Sequence, residues 1–507
     1  MVVGFFSLLG SATGILVETS IAAKLSLSSS SDTFYVAFTV PYIIVNVISA
    51  TGQFSLVPFF ATLDARHSAQ EQWRGFSYAI NLTFLGGCAI SIAGAATAPW
   101  VIRGLAPGFA APQIVLATAL SQWLFPIVIP AALAEIFRSF LLSQHRFALP
   151  SSANFFRNAM VILCVLFTFE RYGIYSIVLG YFAGLFLQLA VLAAQTMISF
   201  PVRYSLTLAG SGQTFQNLHG AGTAQVGGAI AWQSVVIVER MIASFLPAGT
   251  LTALNYGFKV VSTLAELLAG SVGTASLPVL ARAVARKSEP EERQTFQHTL
   301  EIGLVLVSPV MVFCLLLPRP IIRLIFQHGN FTPAATALMS TVFFYYSLSL
   351  VLFAAVRILV FYLFARQQAG AFLRLSLLMY GLNITFDLVY VAVLRLGARG
   401  IPLGLFTSLI LTCALAFARD LAGLVRRTFD RSLAVFAVKT LTGCALAALA
   451  VLGLRAWMRS PETSLQALLY LCELCGAGTL VFFGTLAALG AVHISQLSTL
   501  WERTDEA

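Results

Sequence analysis

Apolar runs of about 20 residues recur along almost the whole chain, and each is long enough to cross a lipid bilayer as a helix. The sequence has 507 residues, of which 58% are hydrophobic and only 10% charged. We therefore predict an all-α polytopic membrane protein with about 14 transmembrane helices. The predicted spans cover about 3–25, 33–62, 76–103, 115–142, 150–169, 173–196, 223–246, 250–280, 299–318, 334–365, 371–394, 401–420, 432–455 and 465–492.

The connections between these spans are short and polar, and none exceeds roughly 30 residues. They leave no room for a soluble catalytic domain. The sequence contains no phosphate-binding loop, dinucleotide fingerprint or nucleophile elbow, and its six histidines are scattered without a metal-ligand spacing. The chain is therefore not expected to be an enzyme or to hydrolyse ATP, so any transport needs another energy source.

The net charge of +10 comes mainly from Lys and Arg at the ends of the predicted helices. That placement favours contact with the bilayer surface rather than with nucleic acid. The first apolar stretch lacks the basic start and the cleavage site of a signal peptide, so we predict that it is retained as a helix. The distribution of basic residues over the connections favours both termini in the cytoplasm.

The seven cysteines lie almost entirely within the predicted spans. Cys472 and Cys475 form a C-x-x-C, but neither a second pair nor a histidine accompanies them. Small apolar residues that pack between helices are a simpler interpretation than a metal or redox site. The sequence therefore predicts no bound metal, apart from a possible Na⁺ ion.

Two pairs of segments resemble each other at an offset of about 220 residues, six spans apart. Val17-Glu18 aligns with Val238-Glu239, and Pro58 aligns with Pro278 to within one residue. A second pair of segments begins at Asn158 and Asn383. Because six is an even number of spans, the two halves would face the same way across the membrane, as in a parallel repeat.

This repeat predicts two six-helix lobes around a central cavity, with alternating access of that cavity to the two sides of the membrane. Such an architecture is typical of a transporter. The predicted divisions are an N-terminal lobe over 1–200, a cytoplasmic linker over 201–221, a C-terminal lobe over 222–425, and two further helices with a cytoplasmic tail over 426–507.

Several polar residues fall within the predicted spans of the second lobe. Asn383 and Asp387 are one helical turn apart and therefore share a helix face. Together with Glu239 and Thr407 they would form an all-oxygen set that suits Na⁺ or proton exchange. The alternative is a structural polar network in which Arg240 or Arg357 neutralises the acids.

Lys259 lies within predicted span 8 and has no acidic residue within one turn. One interpretation is that its side chain extends toward the nearer membrane surface. The other is that it is a cavity cation that binds a phosphate, with Lys24 and Arg240 adding to the positive charge.

Five segments resemble the MurJ/MviN family of lipid II flippases, in the family's order across about residues 10–425. They are "DTFYVAFTVPYIIVNVISATGQFSLVPFFA", "APWVIRGLAPGF", "SQHRFALPSSANFFRN", "VERMIASFLPAGTLTALNYGFKVV…GSVGTASLPVLARAVA" and "LIFQHGNFT…FARQQ". The family is part of the wider group of multidrug, oligosaccharidyl-lipid and polysaccharide exporters. The resemblance implies transfer of an undecaprenyl-diphosphate-linked sugar–peptide from the inner to the outer leaflet of the bacterial inner membrane, for peptidoglycan synthesis.

The basic cluster that the family uses for the diphosphate is only partly present here. Family members carry arginine before the acidic residue of span 1 and a basic pair after the proline of span 2. This chain has Val17 before Glu18, and Val45 with Asn46 in span 2. Lys259 stands where the family has its span 8 arginine, Lys24 keeps the family's basic residue near the end of span 1, and Asp32 keeps its acidic start to span 2. The resemblance therefore implies a headgroup site in the cavity formed by Lys259, Lys24, Arg240, Glu18 and Asp32.

The resemblance leaves three alternatives to lipid II transport open. The chain could export another lipid-linked oligosaccharide, act as a drug/cation antiporter of the same superfamily, or serve as an inactive scaffold for cell-wall enzymes. The loss of the basic residues of spans 1 and 2 favours the last alternative. The expected partners are a lipid-linked substrate, the bilayer and possibly cell-wall synthesis proteins, with the chain itself a monomer.

Overall fold

A computed structural model describes residues 2–66, 69–207, 223–418, 431–458 and 464–491. The residues within those ranges form α-helices and short connections, without a β-strand. In chain order the helices are α1 (Val2–Leu25), α2 (Ser29–Thr51), α3 (Val57–Arg66), α4 (Ala69–Leu105), α5 (Ala111–Leu124), α6 (Val128–Ser143), α7 (Ala148–Tyr172), α8 (Tyr175–Ser199), α9 (Thr223–Ala243), α10 (Thr250–Ala265), α11 (Ser271–Ala285), α12 (Glu289–Leu316), α13 (Pro318–Phe326), α14 (Pro333–Ser347), α15 (Leu350–Ala365), α16 (Ala369–Leu388), α17 (Gly400–Ala418), α18 (Arg431–Trp457) and α19 (Ser464–Ala488).

The predicted fold class, an all-α polytopic membrane protein, is confirmed. Eleven helical segments of the described chain are long and apolar enough to cross a membrane, and α14 with α15, bent by 47°, would make a twelfth. A helix lies at each predicted span, but those at the first and seventh, α1 and α9, are not among the twelve. The predicted count of about 14 is therefore not confirmed.

Within the described part of the chain, three π-helical turns interrupt the spans, over Gly52–Leu56, Glu266–Gly270 and Val389–Val393. Such turns are rare, and they occur frequently at functional sites because they change the direction of the side chains around them. The first two lie in spans 2 and 8, the pair that the internal repeat joins. A shared irregularity of this kind agrees with the repeat, although the predicted lobe boundaries remain a prediction.

The helices form two compact units. The first comprises Met1–Tyr256 with His328–Ala335 and Val391–Val393, and the second comprises the remaining residues. This division falls after Tyr256, later in the chain than the linker predicted over 201–221. Most of that linker lies outside the described residues.

An aromatic cluster fills the core of the first unit. Phe76 and Phe140 have ring centroids 4.8 Å apart, and Trp73 meets Phe76 edge to face at 5.7 Å. These side chains come from α4 and α6, so the cluster fixes those two helices against each other. The described start of the linker continues this packing, since the backbone N–H of Ser205 donates to the Ser77 hydroxyl at 3.1 Å.

The core of the second unit lies around α12 and α15, where the rings of Phe296 and Tyr362 have centroids 4.6 Å apart and are tilted by 40°. The last two helices are part of this unit. Leu433 of α18 and Phe482 of α19 are buried in the same cluster. Phe313 of α12 also packs with Leu474 of α19. Helices α18 and α19 therefore pack on α12.

Candidate functional site

Asp32 caps the start of α10. Its carboxylate accepts a hydrogen bond from the backbone N–H of Gly249 at 2.6 Å and from that of Thr252 at 2.8 Å. The Thr252 hydroxyl donates a third bond at 2.6 Å. An acidic side chain in this position satisfies amide groups that the helix leaves unpaired and interacts favourably with the helix dipole. Asp32 is buried, so its role here is to hold two segments together.

The connection before α10 can approach α2 this closely because residue 249 is glycine. Gly249 has φ +85°, a conformation that L side chains rarely adopt. A Cβ there would lie 2.7 Å from the carbonyl oxygen of Leu27. Any larger residue would therefore push the connection away from the start of α2 and weaken the Asp32 cap.

Helix α2 itself starts at a capping box. The Ser28 hydroxyl accepts from the backbone N–H of Ser31 at 3.2 Å, and the Ser31 hydroxyl accepts from the backbone N–H of Ser28 at 2.9 Å. These reciprocal bonds fix the first turn of α2. They thereby fix the direction in which Asp32 points.

Lys24 forms an ion pair with Glu170 at 2.7 Å, at the end of α7. Its ammonium group also lies over the Phe169 ring, 5.6 Å from the centroid. Nearby, the Asn330 side chain donates to the carbonyl oxygen of Lys24 at 3.0 Å. Since the Glu170 side chain is 84% exposed, this pair is accessible to water and salt. Lys24 would have to break its ion pair with Glu170 before it could bind a phosphate.

Glu18 accepts a hydrogen bond from the Tyr35 hydroxyl. Two further tyrosines, Tyr181 and Tyr256, lie close enough to interact with its charge. The ring of Tyr35 meets that of Tyr256 edge to face at 5.5 Å. Three phenol groups thus lie around Glu18.

Arg240 binds the first turns of α10. Its guanidinium donates to the side-chain oxygen of Asn255 at 2.6 Å and to the carbonyl oxygen of Leu251 at 3.5 Å. It also interacts electrostatically with Asp32 and with its neighbour Glu239. Arg240 and Asp32 therefore both hold the same end of one helix.

Asn383 and Asp387 are hydrogen-bonded and buried in the second unit. The Asn383 amide nitrogen donates to both carboxylate oxygens of Asp387, each at 3.1 Å. Its side-chain oxygen is buried and has no hydrogen-bond partner among the described residues. A carboxylate beside an unsatisfied amide oxygen is a donor set that fits a hard cation such as Na⁺.

The other two members of the predicted cation site are placed differently. The Thr407 hydroxyl donates to the carbonyl oxygen of Leu403 at 2.8 Å and lies 2.9 Å from the hydroxyl of Tyr390. Glu239 is half-buried in the first unit, whereas Asn383, Asp387 and Thr407 belong to the second. It stays a prediction that all four residues, namely Glu239, Asn383, Asp387 and Thr407, bind one cation together. Among the described residues, no group of three or more His, Cys, Asp or Glu could hold a metal ion.

Lys259 lies nine residues into α10 and is half-buried. Within the described chain its ammonium group has no hydrogen-bond or ion-pair partner. A positive charge at this depth of a membrane-length helix is costly unless it faces water or a partner of opposite charge. Lys259 therefore has the character of a residue that is available to an anionic ligand.

Glu266 and Arg357 form an ion pair that the sequence does not predict, since the sequence indicates Arg357 only as a residue that could neutralise the cation-site acids. Other contacts missed were the bond of Asp32 to Thr252, the pair of Lys24 with Glu170, and the tyrosines around Glu18. Apart from the bond between Glu18 and Tyr35, which are 17 positions apart, these contacts join distant parts of the chain. A polar residue within an apolar run was the only local signal for each.

Comparison with known proteins gives a consistent result. The family model for lipid II flippase MurJ matches residues 21–470. A probable lipid II flippase MurJ of Rhizobium meliloti (strain 1021) is 25% identical over 97% of this chain and 95% of its own. The lipid II flippase MurJ of Burkholderia cenocepacia is 24% identical over 82% of each chain.

Solved structures share the fold. A lipid II flippase MurJ in an inward closed conformation aligns with a TM-score of 0.79 and 20% identity, covering 96% of this chain and 98% of that one. An inward-facing multidrug resistance MATE family transporter of the MOP superfamily aligns with a TM-score of 0.70 and 13% identity, covering 84% and 96%. This chain therefore has the fold that the MurJ structure and the MATE family structure share. Because the family model spans most of the sequence, the chain belongs to the lipid II flippase MurJ family.

Proposed function

We propose that this chain moves lipid II, an undecaprenyl-diphosphate-linked sugar–peptide, from the inner to the outer leaflet of the bacterial cytoplasmic membrane by alternating access. Its relatives carry the name lipid II flippase, and the chain aligns with most of their length. The observation that carries the proposal is the unpartnered ammonium group of Lys259 within a membrane-length helix of a protein with this fold.

Lys259 would bind the diphosphate of the substrate. Lipid II presents two phosphate groups where the sugar–peptide meets the polyprenyl tail, so its transfer needs a cation at membrane depth. An ammonium group donates three charge-assisted hydrogen bonds and needs no fixed geometry. An unpartnered ammonium group attracts an anionic diphosphate and repels a cationic drug. This charge therefore favours the lipid-linked substrate over a drug/cation antiporter.

The other predicted headgroup residues are engaged with the protein in this state. Asp32 caps α10, Arg240 binds the same helix end, and Lys24 is paired with Glu170. We propose that these contacts stabilise one of the two states of alternating access. They would then break in the other state and release Lys24 and Arg240 toward the headgroup.

Asn383 and Asp387 would hold a coupling cation, with Thr407 and Glu239 as further candidates. A bound Na⁺ would let the transmembrane sodium gradient supply the energy for transport. The contribution of the protein is an amide oxygen and a carboxylate that are already buried side by side.

The chain would act without catalysing a reaction, as a monomer in the inner membrane, with both termini in the cytoplasm. The predicted C-terminal tail lies beyond the described residues. Cell-wall synthesis proteins would be its protein partners.

Complementation tests the function in cells. A bacterium whose own lipid II flippase is depleted would receive this gene in trans, and growth and lipid II exposure on the outer leaflet would be measured. Rescue of both is the expected result. Membrane expression without either rescue would contradict lipid II transport and leave another glycan or a scaffold role.

A further inference from the structure

Glu266 and Arg357 form an ion pair inside the second unit. Glu266 begins the π-helical turn that follows α10, and Arg357 lies near the middle of α15. Both side chains are substantially accessible, at 51% for Glu266 and 40% for Arg357. Charges at this depth that are not covered by protein are expected to face water rather than acyl chains, because exposure to lipid is costly.

Lys259 and Glu266 share one face of the helix that they both belong to. Seven residues separate Lys259 from Glu266, which on an α-helix corresponds to about two turns and a rise of about 10 Å. Lys259 and the Glu266–Arg357 pair therefore bring three charged side chains to neighbouring positions of one unit. Its net charge is +1, since two cations accompany one carboxylate.

The guanidinium of Arg357 is only partly satisfied by this pair. Its Nη2 donates to Glu266, while its Nε is buried without a partner among the described residues. The group also lies over the Phe361 ring, 6.0 Å from the centroid. A planar group with five donors, oriented by an aromatic ring, is well suited to a phosphate.

A second ion pair in the same unit shows what a purely structural pair looks like here. The Arg366 guanidinium lies 2.5 Å from Glu292, whose side chain is only 4% exposed. The Tyr362 hydroxyl donates to the same carboxylate at 2.7 Å. That pair is covered by protein, and its acid has further donors. The Glu266–Arg357 pair differs in both respects, since its side chains are accessible and no further donor to Glu266 is found among the described residues.

We propose that Arg357 is a second diphosphate-binding residue and that Glu266 occupies its guanidinium until the substrate arrives. This inference rests on the proposed function. The diphosphate would displace Glu266 from Arg357 while Lys259 binds the same group. It would also supply the charge that Val17, Val45 and Asn46 do not provide in the first unit.

Binding by purified protein tests the proposal. The probe is undecaprenyl diphosphate in detergent solution, with inorganic pyrophosphate as a competitor that separates lipid-linked from free diphosphate. The variants are Arg357→Ala, Arg357→Lys, Glu266→Gln and the exchange Glu266→Arg with Arg357→Glu. Arg286→Ala is the matched control, because it removes the exposed 3.0 Å pair with Glu291 elsewhere in the unit.

The proposal predicts opposite effects for the two partners. Loss of the guanidinium should weaken binding by about tenfold or more, with Arg357→Lys in between. Glu266→Gln should strengthen binding, because the competing carboxylate is gone. The exchanged pair should fold, as judged by a single symmetric peak in gel filtration, and still bind poorly. Pyrophosphate should compete only weakly, since it lacks the polyprenyl chain.

Other outcomes would overturn the inference. If the exchanged pair restores binding, or if Glu266→Gln and Arg357→Ala weaken it equally, the pair is structural. If wild type binds while neither variant differs from it, Arg357 does not contact the diphosphate. If wild type and the control both fail to bind undecaprenyl diphosphate, the proposed function fails and this inference fails with it.

Discussion

The carboxylate of Asp32 accepts two hydrogen bonds from Thr252, a residue 220 positions later in the chain. One comes from the backbone N–H at 2.8 Å and one from the hydroxyl at 2.6 Å. This contact joins the first turn of α2 to the first turn of α10. It therefore connects the helix that carries Lys259 to a distant part of the sequence.

Asp32→Ala should destabilise the protein by about 1–3 kcal/mol, because it leaves buried amide groups without an acceptor. The measurement is the thermal unfolding midpoint of the purified protein in detergent. Thr252→Val should cost less, since it removes only the hydroxyl bond. Ser30→Ala, an exposed position on the same turn, serves as the control. Equal midpoints for Asp32→Ala and the control would show that the cap contributes nothing.

Lys259→Ala should reduce transport by about tenfold or more, because one charge-assisted contact with phosphate contributes roughly 1.5–3 kcal/mol. Lys259→Arg should retain or improve transport. The assay is lipid transfer in liposomes that contain equal amounts of each protein, with Lys439→Ala, in the first half of α18, as a lysine control. Normal transport by Lys259→Ala would support the alternative that Lys259 only extends toward the membrane surface.

Asp387→Asn should abolish any dependence of transport on an imposed sodium or proton gradient. The change keeps the side chain's size and removes its charge, so the helix packing should survive. Gly404→Ala should have the same effect, because a Cβ at that position would overlap the Asp387 carboxylate. Gly381→Ala, where the added Cβ meets nothing, is the matched control. Gradient-dependent transport that persists in Asp387→Asn would exclude this residue from coupling.

Glu292→Ala should be among the most damaging changes to stability, at roughly 3–5 kcal/mol, because it removes the carboxylate that pairs with the partly buried Arg366. Tyr362→Phe removes the hydrogen bond to Glu292 and should cost about 1 kcal/mol. Both effects would appear in the unfolding midpoint. Glu291→Ala, next in sequence and paired on the surface, should change the midpoint little. A small effect of Glu292→Ala would mean that water reaches this pair.

The class of the fold could be predicted from the sequence, and so could contacts between residues that are one helical turn apart. Apolar runs of membrane length marked the helices, and the four-residue spacing of Asn383 and Asp387 placed them on one face, where they are hydrogen-bonded. The π-helical turns were not predicted. They change the register by one residue within an apolar helix, and a hydropathy pattern contains no signal for that.

Long-range partners could not be predicted for a different reason. Lys24 and Glu170 are 146 positions apart, and Glu266 and Arg357 are 91 apart. Their pairing depends on which helices are neighbours, and in a membrane protein many apolar helices are interchangeable by composition. Each charged residue was recognisable as unusual, but only the fold identifies its partner.

Transfer of lipid II by the purified protein tests the central claim most directly. The protein would be reconstituted into liposomes that carry fluorescent lipid II in both leaflets, and an impermeant reagent would quench the label on the outside. Wild type should make the inner pool accessible, and Lys259→Ala should slow this markedly at equal protein density. If wild-type liposomes keep their inner pool protected as long as protein-free liposomes do, lipid II transport by this chain is contradicted.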